Sequence, residues 1–322
     1  MRHVSILIPE AAATVSSLVL TYEVFQKTNA IASKKGSKPP FNVQLVGLKK
    51  SVAQVGCFSV RPEITTKELL STDLIIIPAV NGMTSVALKE NKPVLDWVMM
   101  QYSRGAEVAS LCTGAFLLAS TGLLTGKQCS THWEVVNEFR NMFPKVHLVE
   151  DEIITDESGL YTSGGALSSM NLLLYLIEKY HNRETAIHVA KSFAIDFDRN
   201  AQSPYMIFTG QRKHQDHEIK KAQALMENHV GEKMVVDKIA TMVSIDRRNF
   251  DRRFKKATSL TPHAYWQRVK MEAAKKSFEV TRKHVNEVMY EVGYTDVKAF
   301  RAVFKKTTGL SPLEYKSKYN KK

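Results

Sequence analysis

The feature that most constrains this chain is an internal repeat near its C-terminal end. A shift of 50 residues pairs Phe250 with Phe300, Phe254 with Phe304, Lys255 and Lys256 with Lys305 and Lys306, and Thr258 with Thr308. The register continues through Leu260 and Leu310, Pro262 and Pro312, and Tyr265 and Tyr315, giving eight identities in sixteen positions. Such self-similarity marks a duplicated structural unit. Upstream, Ile239, Ala240 and Val243 parallel Val288, Met289 and Val292 with the offset reduced to 49. Each unit therefore reads as a short helix, a tight turn and a second helix, which is a helix-turn-helix. Asp246 and Asp296 stand where each second helix begins, with oxygens able to accept its unpaired N–H groups. Phe250 and Phe254, at i and i+4, face a core, and Arg248, Asp251, Arg252 and Lys255 form the opposite stripe. Its counterpart in the second unit is Lys298, Arg301, Ala302 and Lys305.

Charge adds a reason for those stripes. The chain has 322 residues and a formal net charge of +13, and the whole excess lies in residues 201–322, with 26 basic and 13 acidic side chains; residues 1–200 hold 19 of each. A neutral half joined to a basic one implies that the basic half meets a polyanion. For a single lysine the plainer reading is a solvated helix face. Two basic faces on duplicated units favour double-stranded DNA, because an α-helix fits the major groove, Arg can bond guanine twice, and Lys and Arg neutralise phosphates.

Residues 217–320 resemble an AraC/XylS-type DNA-binding domain, two helix-turn-helix units joined by a long helix running here from Pro262 to about Glu279. The most specific match is residues 292–315, with the family pattern of Gly, aromatic, Phe, Phe-Lys, Gly and Ser-Pro. The resemblance implies that Arg248, Asp251 and Arg252 in the first unit and Lys298 and Arg301 in the second approach bases; Lys255 and Lys305, on the same stripes, complete the expected DNA-binding set, and Lys305 is expected to act alike on all sequences. Ala302 stands where many members carry Arg, and Ser259 where many carry Gly, so base readout by the second unit is expected to be weaker and more positional.

The first 193 residues have another rhythm. Val4–Pro9, Phe41–Leu48, Leu74–Pro78 and Glu107–Leu111 are apolar runs of strand length, and helical periodicity follows in Ser16–Ala32, Pro93–Ser103 and Thr113–Ser120. Alternation of this kind predicts an α/β domain around a mostly parallel sheet. Short strand-like runs between Val146 and Thr162 flank the turn at Asp156–Gly159, and helical runs occupy Leu167–Ser192. Residues 196–216 are polar and aperiodic, as an interdomain linker would be. The expected organisation is residues 1–195, a linker at 196–216, and an all-α domain at 217–322.

Several classes are excluded. Val4–Pro9 is too short for a signal-peptide core, and no window approaches the ~20 apolar residues of a membrane span, so a cytoplasmic protein is expected. Cys57, Cys112 and Cys129 are odd in number, which argues against a disulfide framework. The sequence His214-Gln215-Asp216-His217 lacks a second ligand pair with zinc-like spacing, so no metal or other cofactor is expected.

The segment Ala109–Ala119 places Cys112 between strand and helix, where a nucleophile elbow would hold a thiol above helix amides that lower its pKa. Thiol catalysis needs an adjacent acid or base, and Thr113, the next residue, cannot serve. Residues 1–193 resemble the PfpI-like branch of the class I glutamine amidotransferase-like superfamily, which has a flavodoxin-like fold. Its enzymes place a His beside the Cys and an acidic residue early in the first helix. Here Thr113 and Ser17 occupy those positions, so the resemblance implies a domain that is not an enzyme.

Together the halves resemble GlxA-type transcriptional regulators. That resemblance implies a homodimeric transcriptional activator that contacts RNA polymerase and senses a small amino-acid-like or amine metabolite. The pocket is expected at the C-terminal ends of the strands, lined by Ser17, Asn81, Gly82, Cys112, Thr113 and His132. Each subunit's two recognition helices are expected in successive major-groove segments on one DNA face, roughly 34 Å apart. The competing reading is a thiol-dependent amidase or hydratase with a DNA-binding appendage.

Overall fold

The computed structural model describes residues 1–10, 13–50, 53–55, 57–82, 85–197, 201–212, 214–232 and 235–320. The chain divides into two compact units, Met1–Gln202 and Ser203–Lys322.

In the first unit the strands are β1 (Arg2–Leu7), β2 (Phe41–Gly47), β3 (Ala53–Val55), β4 (Phe58–Val60), β5 (Ile64–Thr65), β6 (Leu74–Ile77), β7 (Glu107–Ser110), β8 (Gln128–Cys129), β9 (His147–Leu148), β10 (Ile154–Glu157) and β11 (Leu160–Ser163). The helices are α1 (Val15–Lys34), α2 (Ser85–Ser103), α3 (Ala115–Ser120), α4 (Val136–Met142), α5 (Ser169–Tyr180) and α6 (Arg183–Ser192). Seven strands form one sheet in the order β10-β11-β7-β6-β1-β2-β5, parallel except for the β10–β11 hairpin. This is the flavodoxin-like arrangement, in which the order reverses beside β1.

Both faces of the sheet are covered, as continuous apolar strands require. Val4, Ile6, Leu74 and Ile76 point into a core shared with α1, α5 and α6. Leu7, Ile75, Ile77 and Val108 point the other way, into a core shared with α2, α3 and α4. The alternation follows from the two-residue period of a strand. Helix α2 begins at Ser85 rather than at Pro93, which lies inside it. The expected helix at Thr113–Ser120 is a 3₁₀ turn over Cys112–Gly114 that leads into α3.

The second unit consists of α7 (His217–Asn228), α8 (Val236–Met242), α9 (Arg247–Thr258), α10 (Pro262–Val280), α11 (Val285–Glu291), α12 (Val297–Thr308) and α13 (Pro312–Tyr319), with one 3₁₀ turn at Ser203–Tyr205. Phe250, Phe254, Tyr265 and Trp266 close one core with α7 and α8. Phe300, Phe304, Tyr315 and Phe278 close its twin with α11. Helix α10 belongs to both, with Trp266 in the first core and Met271 and Phe278 in the second.

The stretch 196–216, expected as a linker, is divided between the units where it is described; residues 198–200 and 213 lie outside the described residues. Gln202 is buried in the first unit. In the second, Phe208 meets Tyr265 edge-on with ring centroids 5.1 Å apart, and its N–H donates to Glu272 Oε2 at 3.0 Å. Polar composition here reflects buried hydrogen bonding as well as solvent.

Candidate nucleic-acid interface and sensor site

The repeat is reproduced in detail. Asp246 Oδ1 accepts the Asn249 N–H at 3.0 Å, and Asp296 Oδ1 accepts the Ala299 N–H at 2.9 Å, capping α9 and α12. At the far ends Thr258 and Thr308, both buried, donate to Phe254 O and Phe304 O at 2.8 Å. Thr261 and Ser311 then cap helices that begin with Pro262 and Pro312, where a missing N–H is harmless. Tyr265 OH donates to Glu227 at 2.8 Å and Tyr315 OH to Glu279 at 2.5 Å, and burial pushes both phenols up.

The outward faces differ where the cores agree. At the 50-residue offset, Arg248, Asn249, Asp251 and Arg252 become Lys298, Ala299, Arg301 and Ala302. Arg248, Arg252, Lys255, Lys298, Arg301 and Lys305 are all exposed. Arg248, Asn249 and Arg252 line a shallow recess with Asp246, and Arg252 Nη2 donates to Asn249 Oδ1 at 2.9 Å. Asn249 was not among the residues singled out in the sequence, although it neighbours Arg248 and lies three residues before Arg252. Asp251 is set apart: it is half-buried, and its Oδ2 accepts from Arg247 Nε at 3.0 Å while Arg247 Nη1 reaches Asp237 at 2.8 Å. Arg253 faces inward, holding Asp216 with two hydrogen bonds of 2.9 and 2.6 Å. That guanidinium holds the Asp216 carboxyl below its usual range, and Asp216 in turn caps α7 through the Ile219 N–H. His214 pairs with Gln223 at 3.0 Å.

In the first unit, Ser17, Asn81, Gly82, Cys112, Thr113 and His132 lie beyond the C-terminal ends of β6, β7 and β11. Ser17 Oγ accepts the Ala79 N–H at 3.0 Å. Thr113 Oγ1 accepts the Val80 N–H at 2.9 Å and donates to Val80 O at 2.6 Å, engaging that residue as a neighbouring strand would. Asn81 and Gly82 follow, both exposed, with Gly82 at φ +58°.

Cys112 has φ +55°, the strained backbone expected of an elbow. Its N–H donates to Ser163 Oγ at 3.2 Å, and its Sγ accepts the Ala166 N–H at 3.3 Å. Burial nevertheless pushes the thiol up, against the pull of the Ala166 and Thr113 amides. This corrects the sequence expectation of a depressed thiol, because removal of water outweighs the hydrogen bonds from Ala166 and Thr113. His132 is half-buried, and its Nδ1 accepts the Glu134 N–H at 3.1 Å. Burial lowers its pKa. Its ring lies so close to Gly165 that a Cβ there would come within 2.5 Å of Cδ2. Cys112 and His132 thus flank the turn at Gly165 and Ala166. The Ser163 hydroxyl, which accepts the Cys112 N–H, and the Ala166 N–H, which meets the thiol, carry no signal in the sequence.

Among the described residues, no group of three or more His, Cys, Asp or Glu is arranged to hold a metal ion, and no helix is long and apolar enough to cross a membrane.

A duplicated helix-turn-helix with basic outward faces, following a flavodoxin-like domain, defines a DNA-binding transcriptional regulator. The chain belongs to the DJ-1/PfpI family, which matches residues 4–179. A helix-turn-helix domain, here of AraC type, matches residues 239–318. The fused architecture is shared with the HTH-type transcriptional regulator GbdR of Pseudomonas aeruginosa, 26% identical over 261 residues that cover 79% of this chain and 69% of that one. An isonitrile hydratase of Pseudomonas putida is 29% identical over 128 residues, 39% of this chain and 53% of the hydratase. Among solved structures, an AraC family transcriptional regulator from Pseudomonas putida matches the fold with a TM-score of 0.51 at 16% identity, covering 60% of this chain and all of that one.

Proposed function

We propose that this chain is a cytoplasmic, homodimeric activator that binds specific double-stranded DNA through α9 and α12 and responds to a small amine or amino-acid-like effector in the first unit. The observation that carries the DNA assignment is the divergence of the repeats: packing positions are kept while outward positions change, as two helices reading different half-sites require. Arg248 and Arg252 are assigned to guanine, Asn249 to adenine, and Lys255 and Lys305 to phosphates. Lys298 and Arg301 hold the second helix in register, and the methyl groups of Ala299 and Ala302 suit thymine. Asp251 is assigned to orienting Arg247 rather than to a base. Contact with RNA polymerase would follow on the DNA.

Selection of binding sites from a random DNA library tests this reading. A bipartite site is expected, with the stronger preference in the half facing α9, and Arg252→Ala should relax that half alone. Enrichment of no motif, or of one unaffected by Arg252→Ala, would overturn it.

The effector is assigned to the strand ends around Ser17, Asn81, Gly82, Cys112, Thr113 and His132, and the same residues bear on catalysis. The hydratase relative favours a second reading, thiol-dependent amidase or hydratase activity at Cys112. Against it stand a raised thiol, Thr113 committed to Val80, and Ser17 where an acid is needed. Turnover of an isonitrile that disappears in Cys112→Ser would establish the enzyme; absence of turnover in the intact protein supports the sensor.

A further inference from the structure

Gln202 is a buried amide at the end of the first unit, only 2% exposed. Its Oε1 accepts the Gly165 N–H at 2.8 Å. Its Nε2 lies 2.9 Å from Glu150 O, 3.1 Å from Thr131 O and 3.3 Å from both Ser130 Oγ and Glu152 O. A primary amide has two N–H bonds, so these oxygens compete for fewer donors, and any that parts from Nε2 leaves the others to take its place. The backbone is fixed as well, since the Gln202 N–H donates to Asp151 O at 2.9 Å and Ala201 bridges Glu152. A Cβ on Gly164 would collide with the Gln202 amide. The turn at residues 164–166 is therefore built around this side chain, and the same turn supplies the Ala166 N–H to Cys112 and the surface under His132.

We propose that Gln202 is the positioning residue of the Gly164–Ala166 turn and the latch through which the state of the Cys112 site reaches the DNA-binding unit. The proposal rests on reading that site as a sensor. The route is the covalent chain. Ser203, the next residue, opens the second unit and is itself buried, and Tyr319 OH donates to Pro204 O at 2.8 Å. A ligand that displaces residues 164–166 takes a hydrogen bond from a buried amide, and a buried polar group without its partner favours leaving its seat. Release of Gln202 removes one fixed end of the segment that enters the helix-turn-helix unit.

The test uses full-length protein in a Cys57→Ser background, which removes the exposed thiol. Iodoacetamide is the probe, alkylation of the Cys112 peptide is followed by mass spectrometry, and affinity for the protein's own upstream DNA is measured by fluorescence anisotropy before and after. Gln202→Ala and Gln202→Glu are compared; glutamate keeps the volume and the acceptor for Gly165 while setting oxygen against four oxygens. Both variants are expected to alkylate at Cys112 about tenfold faster, as a locally opened turn would. Alkylation is expected to change DNA affinity severalfold when Gln202 is present and to leave it unchanged in the variants, whose affinity already equals that of the alkylated parent. An unchanged alkylation rate overturns the positioning role. An alkylation effect on DNA affinity of equal size with and without Gln202 overturns the latch and leaves the sensor standing. Alkylation without effect on DNA affinity in any of the proteins defeats the sensor reading and the latch together.

Discussion

At the scale of single residues, the two repeats solve the same backbone problem with different side chains. Each helix-turn-helix turn and each recognition-helix C-terminus requires a left-handed residue. The second unit has glycine at both places, Gly293 at φ +74° and Gly309 at +72°, whereas the first has Ser244 at +55° and Ser259 at +61°. A side chain in that region costs about 1–2 kcal/mol. Ser259→Gly should therefore raise stability by about 1 kcal/mol, read as an increase in the denaturant midpoint without a change in slope; no increase would mean that local contacts of Ser259 offset its strain. The serine at 259 stood out in the sequence as a departure from the family pattern, but its left-handed angle did not, because side-chain identity reports preference and not conformation. Cys112 teaches the same lesson. Its elbow position was legible, yet its chemistry depends on burial beneath Ser163 and Ala166, more than fifty residues away. Burial raises the thiol, so its thiolate fraction at neutral pH falls. Iodoacetamide should modify exposed Cys57 well before Cys112, and the Cys112 rate should keep climbing as pH rises above 9. A Cys112 that outpaces Cys57 at pH 7 would revive the catalytic reading.

At the scale of elements, periodicity revealed those segments whose buried faces repeat over several turns. Helices α9 and α12 fall in this class, since Phe250 and Phe254, and Phe300 and Phe304, recur at helical spacing and Asp246 and Asp296 cap them where the sequence places those caps. Strands of two residues, such as β5 and β8, lack enough positions for a period and carry no signal in the sequence. Pro93 reads in the sequence as the start of a helix, but α2 begins at Ser85, and buried Ala87 ties its first turns to the core. The ion pair between Arg253 and Asp216 joins α9 to the start of α7 across 37 residues, beyond any local pattern. Arg253→Ala should cost the second unit about 1–2 kcal/mol, with partial exposure reducing the value of the pair. The Asp216 carboxyl is depressed in the folded state, so its contribution is complete above the unfolded value of about 4 and is lost as pH falls through the lower folded value. Acid titration of unfolding free energy should show a slope below pH 4 that is smaller in Arg253→Ala. Equal slopes in both proteins would show that the pair contributes nothing.

At the scale of the whole molecule, a neutral α/β unit in the DJ-1/PfpI family precedes a basic unit that carries two helix-turn-helix elements. The division of charge was visible in the sequence, and so was the fold class of each half. The stretch between them has the composition of a polar linker, because buried amides and exposed ones look alike in sequence; Gln202, buried, shows the difference. The central claim is that the basic faces of α9 and α12 bind a particular DNA sequence and do not merely attract polyanions. Its most direct test is electrophoretic mobility shift of the purified protein on its own upstream DNA, wild type beside Arg252→Ala and Lys305→Ala, at two salt concentrations and with excess competitor DNA. Competitor-resistant binding by the wild type is expected. Arg252→Ala should lose about 1–3 kcal/mol, and Lys305→Ala should bind more weakly, uniformly across sequences and with less dependence on salt. Binding that the competitor removes entirely, and that neither substitution alters, would contradict the claim.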